Sequence, residues 1–181
     1  MEQYSTTGAG RDDAAEPRAS RPHVPGYGIP ETEEGLLPWS HVHERLERAR
    51  NYWVCTAGAD GRPHAIPIWG AWTDRRVFFE GGTHTRWARN LAANPRVAVH
   101  LESGDDVVIM EGIAEQIFRP DRALFQRIDA QYASKYDYKP SNNLKSPDDE
   151  PFPEGGLWAV RPHLVLAWTK FPADMTRFRF E

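Results

Sequence analysis

Apolar residues recur along this chain with two periods. Between residues 39 and 49, Val42, Leu46 and Ala49 return at helical spacing, with Ser40 and Glu44 as a loose start signal, so a helix is expected there. From Tyr52 the period shortens to two. Strands are expected over Tyr52 to Thr56, His64 to Trp72 and Val77 to Glu80, with Asp60-Gly61 and Thr73-Asp74 as the turns. Pro63 and Pro67 cannot donate to a ladder, which makes the second strand an edge or leaves it open to a ligand. A helical period returns over 84 to 94 and stops at Asn94-Pro95. "RVAVHLES" and "DVVIMEGIAEQIF" add two strands joined at Gly104-Asp105. Leu124, Ile128 and Tyr132 then mark a second long helix behind Pro120. "GLWAVRP" and "HLVLAWT" read as two closing strands, with "TRFRF" after them.

The segments left over are polar. Residues 1 to 35 are rich in Gly, Pro and charge with few aliphatics, and read as a disordered or loosely draped tail; "PGYGIP" is a turn-rich linker against the body. Residues 137 to 154 read as a mobile loop. The expected organisation is this tail followed by one domain over 36 to 181. Its fold class is mainly β (α+β), a barrel of six or more antiparallel strands with helices inserted between them.

Charge narrows the function. A net charge of -4 and a pI near 6.0 argue against nucleic acid as a partner. No apolar run is long enough to span a membrane, and no charged start leads into an apolar secretory segment. The single cysteine, Cys55, excludes an internal disulfide and fits the cytoplasm; its apolar setting in "YWVCT" suggests a buried structural thiol. The seven histidines show no metal-ligand spacing, and Glu102, Asp105 and Asp106 are explained by a hairpin turn, so no metal is expected. Hydrolase triads, P-loops and dinucleotide fingerprints are also missing from the sequence.

The chemistry gathers in "GGTHTRWARNLAANP". A helix start carries unpaired N–H groups and partial positive charge, which favour an anion. Arg86 adds a planar fork suited to phosphate, and Arg89 lies three residues on. Against this, Thr85 is a plain N-cap and both arginines are solvated charges. Trp87 is either a core anchor with Leu91 or a shelf for a ligand. Along "IPIWGAW", Pro67 and Gly70 thin the strand, and Gly70 permits close approach by a flat ring. His64 and His100 are candidate proton donors, while Lys135, Tyr136 and Tyr138 either cap a substrate pocket or form a solvated helix end.

The order of these pieces resembles the pyridoxamine 5'-phosphate oxidase-like split β-barrel proteins, and more closely their flavin- and deazaflavin-dependent oxidoreductase branch. The likeness rests on a "T-x-x-x-D-G-x-P" hairpin, a "P-x-W" strand, a small-residue turn and "R-x-A-R-N-L-x-x-N-P". "VVIMEGIAE" and "WAVRPHLVLAW" extend it over residues 38 to 180. It implies a split barrel of the FMN-binding type, assembled as a homodimer with F420 or FMN at the subunit interface. It further implies hydride transfer to or from an unsaturated small organic substrate; the alternative is a non-catalytic flavin, F420 or haem carrier. The matching cofactor positions are Ile66, Pro67, Ile68, Trp69 and Gly70 for the ring, Phe79, Glu80 and Gly81 for the turn, and Thr85, Arg86, Trp87 and Arg89 for the phosphate. The family usually has a lysine where this chain has Trp87. No catalytic residue is singled out.

Overall fold

The computed structural model describes residues 15–146, 149, 152 and 156–181. Strand β1 is Arg18–Ser20 and helix α1 is Trp39–Arg48. Strands β2 (Tyr52–Ala57), β3 (Pro63–Ile68), β4 (Ala71–Thr73) and β5 (Arg76–Glu80) follow, then helix α2 (Arg86–Ala93). After β6 (Arg96–His100), β7 (Val107–Ile117) and helix α3 (Arg122–Tyr136), the fold closes with β8 (Leu157–Trp168) and β9 (Thr176–Arg179). All pairings are antiparallel and run β1-β9-β8-β7-β6-β2-β3, with β5 joining β8 to β4. This is the expected α+β split barrel.

The split follows from β8. Its first half, Leu157 to Val160, pairs with β5, while Leu164 to Ala167 pairs with β9. Between them the register against β7 jumps, because Glu111 faces Leu164 and Gly112 faces Pro162. That bulge bends the strand and leaves room for a residue without an N–H, so Pro162 does not end it. The two closing strands expected from the sequence are therefore one strand of 12 residues. Gly112 lets the strands approach there: a Cβ on it would lie 2.5 Å from the Arg161 carbonyl oxygen.

Two further expectations are corrected. The strand expected over His64 to Trp72 breaks at Trp69-Gly70 into β3 and β4. Helix α1 begins at Trp39 behind Pro38, with no side-chain cap from Ser40. In the described part of the tail, β1 pairs with β9, and Arg21 donates to the carbonyls of Thr32 and Met175, both at 2.9 Å, and of Glu34. Polar main-chain contacts drape this stretch along the body without aliphatic packing. Tyr27 of the "PGYGIP" segment lies edge-on to Phe171. The rest of the tail, residues 1–14, lies outside the described residues, as do 147, 148, 150, 151, 153 and 154 of the expected mobile loop and residue 155 after it. The loop's described start is pinned by a short 3-10 turn, Pro140–Asn143, where Ser141 N and Oγ donate to Asp129.

Two apolar clusters fill the fold. The barrel cluster includes Val42, Leu46, Val54, Phe79, Leu91, Met110 and Phe178. The second lies under α3 and unites Phe78, Leu124, Ile128, Tyr132, Tyr136 and Leu157. Alternation along β5 explains the division: Val77 and Phe79 enter the barrel, Phe78 the α3 side.

Candidate functional site

Strand β3 is a free edge, as its prolines require: it pairs with β2 on one side only. Ile66 and Ile68 lean on the barrel cluster, while Ala65 and Pro67 are exposed on the opposite face. The break after Ile68 has a definite cause. A Cβ on Gly70 would lie 2.7 Å from the Phe78 carbonyl oxygen and 3.0 Å from Tyr52 Cδ2. Gly70 thus makes room for its own chain and is buried. Its N–H donates to the Tyr136 hydroxyl at 2.9 Å. That hydroxyl has one proton of its own, and the Arg50 carbonyl at 2.7 Å is its nearest acceptor. Trp69, 44% exposed, stacks on the Tyr136 ring at 4.4 Å and 7°. Lys135 Nζ reaches the Tyr52 hydroxyl at 3.0 Å. So Lys135 and Tyr136 anchor the end of α3 to the strand break, and Tyr138 lies at a tilt beside Trp69.

At the other end of the candidate site, β5 runs through Glu80 into Gly81 and the start of α2. Thr85 is the N-cap, its Oγ1 accepting from Ala88 N at 3.3 Å. Arg89 N donates to the Thr85 carbonyl, which leaves the N–H groups of Arg86 and Trp87 at the helix start without helical partners. Arg86 and Arg89 are both exposed. Arg89 donates back to the His84 carbonyl. Arg86 stands close enough to the β2–β3 hairpin to help hold the Asp60 carboxyl low, after the stronger effect of the Arg62 hydrogen bonds. Hence the helix start, the two guanidinium groups and the hairpin of the edge strand share one region.

Trp87 is resolved in favour of the core. It is 4% exposed and lies edge-on to Phe79 at 5.3 Å and to Trp158 at 6.1 Å. Gly81 is shaped around it, since a Cβ there would lie 2.6 Å from Trp87 Cζ2. The Phe79 side chain is equally buried. Glu80 is half-buried, and burial pushes its carboxyl up.

Several relevant residues escaped the sequence reading. Asn90 is buried on α2 and donates to Thr56 Oγ1 at 2.9 Å, tying the helix to β2. Gln131 accepts from Trp72 N at 3.0 Å and donates to Trp72 O at 2.7 Å, completing the short ladder of β4 from a helix. Trp158 Nε1, beside Trp87, is a buried donor without an acceptor among the described residues. Only the polar-in-apolar context of Asn90 within "ARNLAA" was a signal; the others depend on partners far along the chain.

The two candidate histidines differ. His64 is a half-buried residue of β3. His100 stacks parallel on Trp53, 5.9 Å away, with Nδ1 2.8 Å from the Leu101 carbonyl oxygen. A carbonyl only accepts, so Nδ1 carries the proton and Nε2 keeps its lone pair in the neutral ring. Cys55 is not buried as expected: alternation turns it to the outer face of β2, half-exposed, with burial raising its thiol somewhat. Among the described residues no group of His, Cys, Asp and Glu could hold a metal ion, and no helix is long and apolar enough to cross a membrane.

Comparison with known proteins agrees with the barrel. No curated protein matches the chain. A solved F420 reductase is 25% identical, with a TM-score of 0.49, 74% of this chain and 98% of that one being covered. A pyridoxamine 5'-phosphate oxidase-related, FMN binding protein from Nostoc punctiforme is 20% identical over 78% of this chain and 89% of its own, with a TM-score of 0.53. A heme binding protein from Mycobacterium smegmatis is 16% identical over 80% of this chain and 59% of its own, with a TM-score of 0.58. The family model described as pyridoxamine 5'-phosphate oxidase matches residues 39–169. The chain belongs to the pyridoxamine 5'-phosphate oxidase family, as a split barrel in which a buried tryptophan stands at the head of α2.

Proposed function

We propose that the protein is a homodimeric oxidoreductase that binds a phosphate-bearing deazaflavin or flavin, F420 or FMN, and uses it on an unsaturated small organic substrate. The observation that carries this reading is the start of α2. Two N–H groups without helical partners lie at the head of α2, and its first turn carries the exposed Arg86 and Arg89, with the open edge strand's hairpin near Arg86. These residues suit a phosphate. Arg86 and Arg89 neutralise it, the Arg86 and Trp87 amides bond it, and Thr85 fixes the helix start. Trp87 contributes through its main chain alone, its ring being committed to the core. The face of β3 bearing Pro67, with Trp69 beyond it, provides an apolar wall for the ring. When bound, the cofactor supplies the hydride chemistry, and the chain supplies orientation and exclusion of water.

The dimer has its own support. Across the outer face of the sheet, Pro67, Trp53, His100 and Ile109 form one row in register, and Ala65, Cys55, Ala98 and Glu111 the next. This face is largely apolar and all of it is at least partly exposed. A second copy covers it and closes the pocket over β3.

A second reading is a carrier of haem, flavin or F420 without turnover. It is favoured by His100, whose Nε2 lone pair is held ready by the Leu101 carbonyl within the same apolar face. One titration separates the readings. Purified protein is mixed with FMN, F420 and haem in turn, and binding is followed by absorbance and fluorescence. Binding of F420 or FMN followed by turnover with quinones or enones supports the oxidoreductase. Tight binding without turnover supports the carrier, and binding of none rejects both.

A further inference from the structure

Lysine is scarce here: Lys135, Lys139, Lys145 and Lys170 are the only lysines among 22 basic residues. The last three are exposed, whereas Lys135 is half-buried on the last turn of α3. Its Nζ lies 3.0 Å from the Tyr52 hydroxyl, 3.5 Å from the Gly70 carbonyl oxygen and 5.2 Å from the centre of the Tyr52 ring. Among the described residues no carboxylate forms an ion pair with it. It opens onto a surface groove that it shares with Glu47, Arg48, Arg50, Gln131 and Ser134. Arg50 donates to the Lys135 carbonyl and lies over the Tyr136 ring, 5.5 Å from its centre. Arg48 is exposed and has no side-chain partner among the described residues.

The geometry points to Lys135 as a nucleophilic amine that captures a small anionic carbonyl compound, an aldehyde or ketone bearing a carboxylate, with Arg48 holding the anionic end. Burial lowers the ammonium to about 8, partly opposed by the Glu47 carboxylate on α1, so a large fraction is neutral in mildly alkaline solution. Tyr52 on β2 accepts the hydrogen bond and stays protonated, because burial pushes its phenol well up; Tyr136 on α3 is raised by burial too. Solvent therefore takes the ammonium proton. The Nζ lone pair attacks the carbonyl carbon, and the carbonyl π pair moves to oxygen. After proton transfer the oxygen leaves as water with both amine hydrogens, and a C=N bond remains. No oxidant or reductant takes part, and no bound flavin is required, so the inference stands apart from the proposed function.

The test uses the full-length protein, glyoxylate as the probe, cyanoborohydride to trap the imine, and peptide mass mapping. Lys135 is expected to be labelled about tenfold faster than Lys139, Lys145 and Lys170, with a rate midpoint near pH 8. Arg48→Gln is expected to slow labelling by glyoxylate severalfold and to leave labelling by neutral glycolaldehyde unchanged. Labelling of Lys135 no faster than of the three exposed lysines overturns the proposal. Equal loss with both aldehydes, or no loss with either, overturns the anion-holding role of Arg48.

Discussion

Trp87 sits between Arg86 and Arg89 in the first turn of α2 and far from them in environment. Its ring fills the barrel wall against Phe79 and Trp158, and Gly81 is shaped to admit it. Replacing it with the family's usual lysine is therefore not a repair. Trp87→Lys is expected to lower stability by about 3–5 kcal/mol, read as a fall in urea midpoint, because a large buried aromatic is lost and an ammonium takes its place. Gly81→Ala meets the same ring from the other side and is expected to cost about 1–3 kcal/mol. Arg86 is the opposite case. Being exposed, Arg86→Ala is expected to leave the melting temperature unchanged and to weaken the proposed binding of F420 or FMN by about 1.5–3 kcal/mol, measured by fluorescence titration. An unchanged affinity removes Arg86 from the phosphate site. The sequence made Thr85, Arg86 and Arg89 visible as an anion-friendly helix start. It left Trp87 with two readings, because whether a tryptophan faces a ligand or a core depends on Phe79 and on Trp158, which is 71 positions away.

Among the elements, the end of α3 controls the break between β3 and β4. Tyr136 serves Gly70 N and Arg50 O with one hydroxyl, while Lys135 reaches Tyr52 beside them. Tyr136→Phe keeps the stack on Trp69 but strands both main-chain groups, and is expected to cost about 1–3 kcal/mol in chemical denaturation. The same region gives stability a signed pH dependence. Lys135 has a folded value of about 8 against 10.5 in the unfolded chain. Between these values the unfolded chain binds more protons, so stability rises with pH. Tyr52 and Tyr132 are raised by burial above 10.0; beyond that pH the unfolded chain ionises first, and stability falls. Urea midpoints from pH 7 to 11 are expected to climb above pH 8 and drop above pH 10, and Lys135→Met is expected to remove the climb. The sequence announced α3 through Leu124, Ile128 and Tyr132, all of which are buried. It did not announce the latch, since hydrogen bonds to Gly70 and Arg50 leave no periodic trace.

For the whole molecule, β8 organises the barrel by changing partners at its bulge, and the sheet's outer face is the surface on which the proposed second copy would dock. Ala98→Glu is expected to place a second carboxylate beside Glu111 in the row it shares with Cys55 and Ala65. It should convert a dimer to monomer in light scattering, with cofactor affinity falling alongside; an unaltered mass rejects that face as the interface. At this scale the division between sequence and structure is physical. Alternation and helical spacing are local properties, so the sequence by itself determined the barrel class, most strands, the three helices and the edge position of β3 with its two prolines. Which face of each element meets which partner depends on contacts between distant segments. Only the tertiary structure decided that Trp87 points inward, that Cys55 points outward, that Pro162 lies in a bulge within one long strand, and that the tail adds a strand to β9.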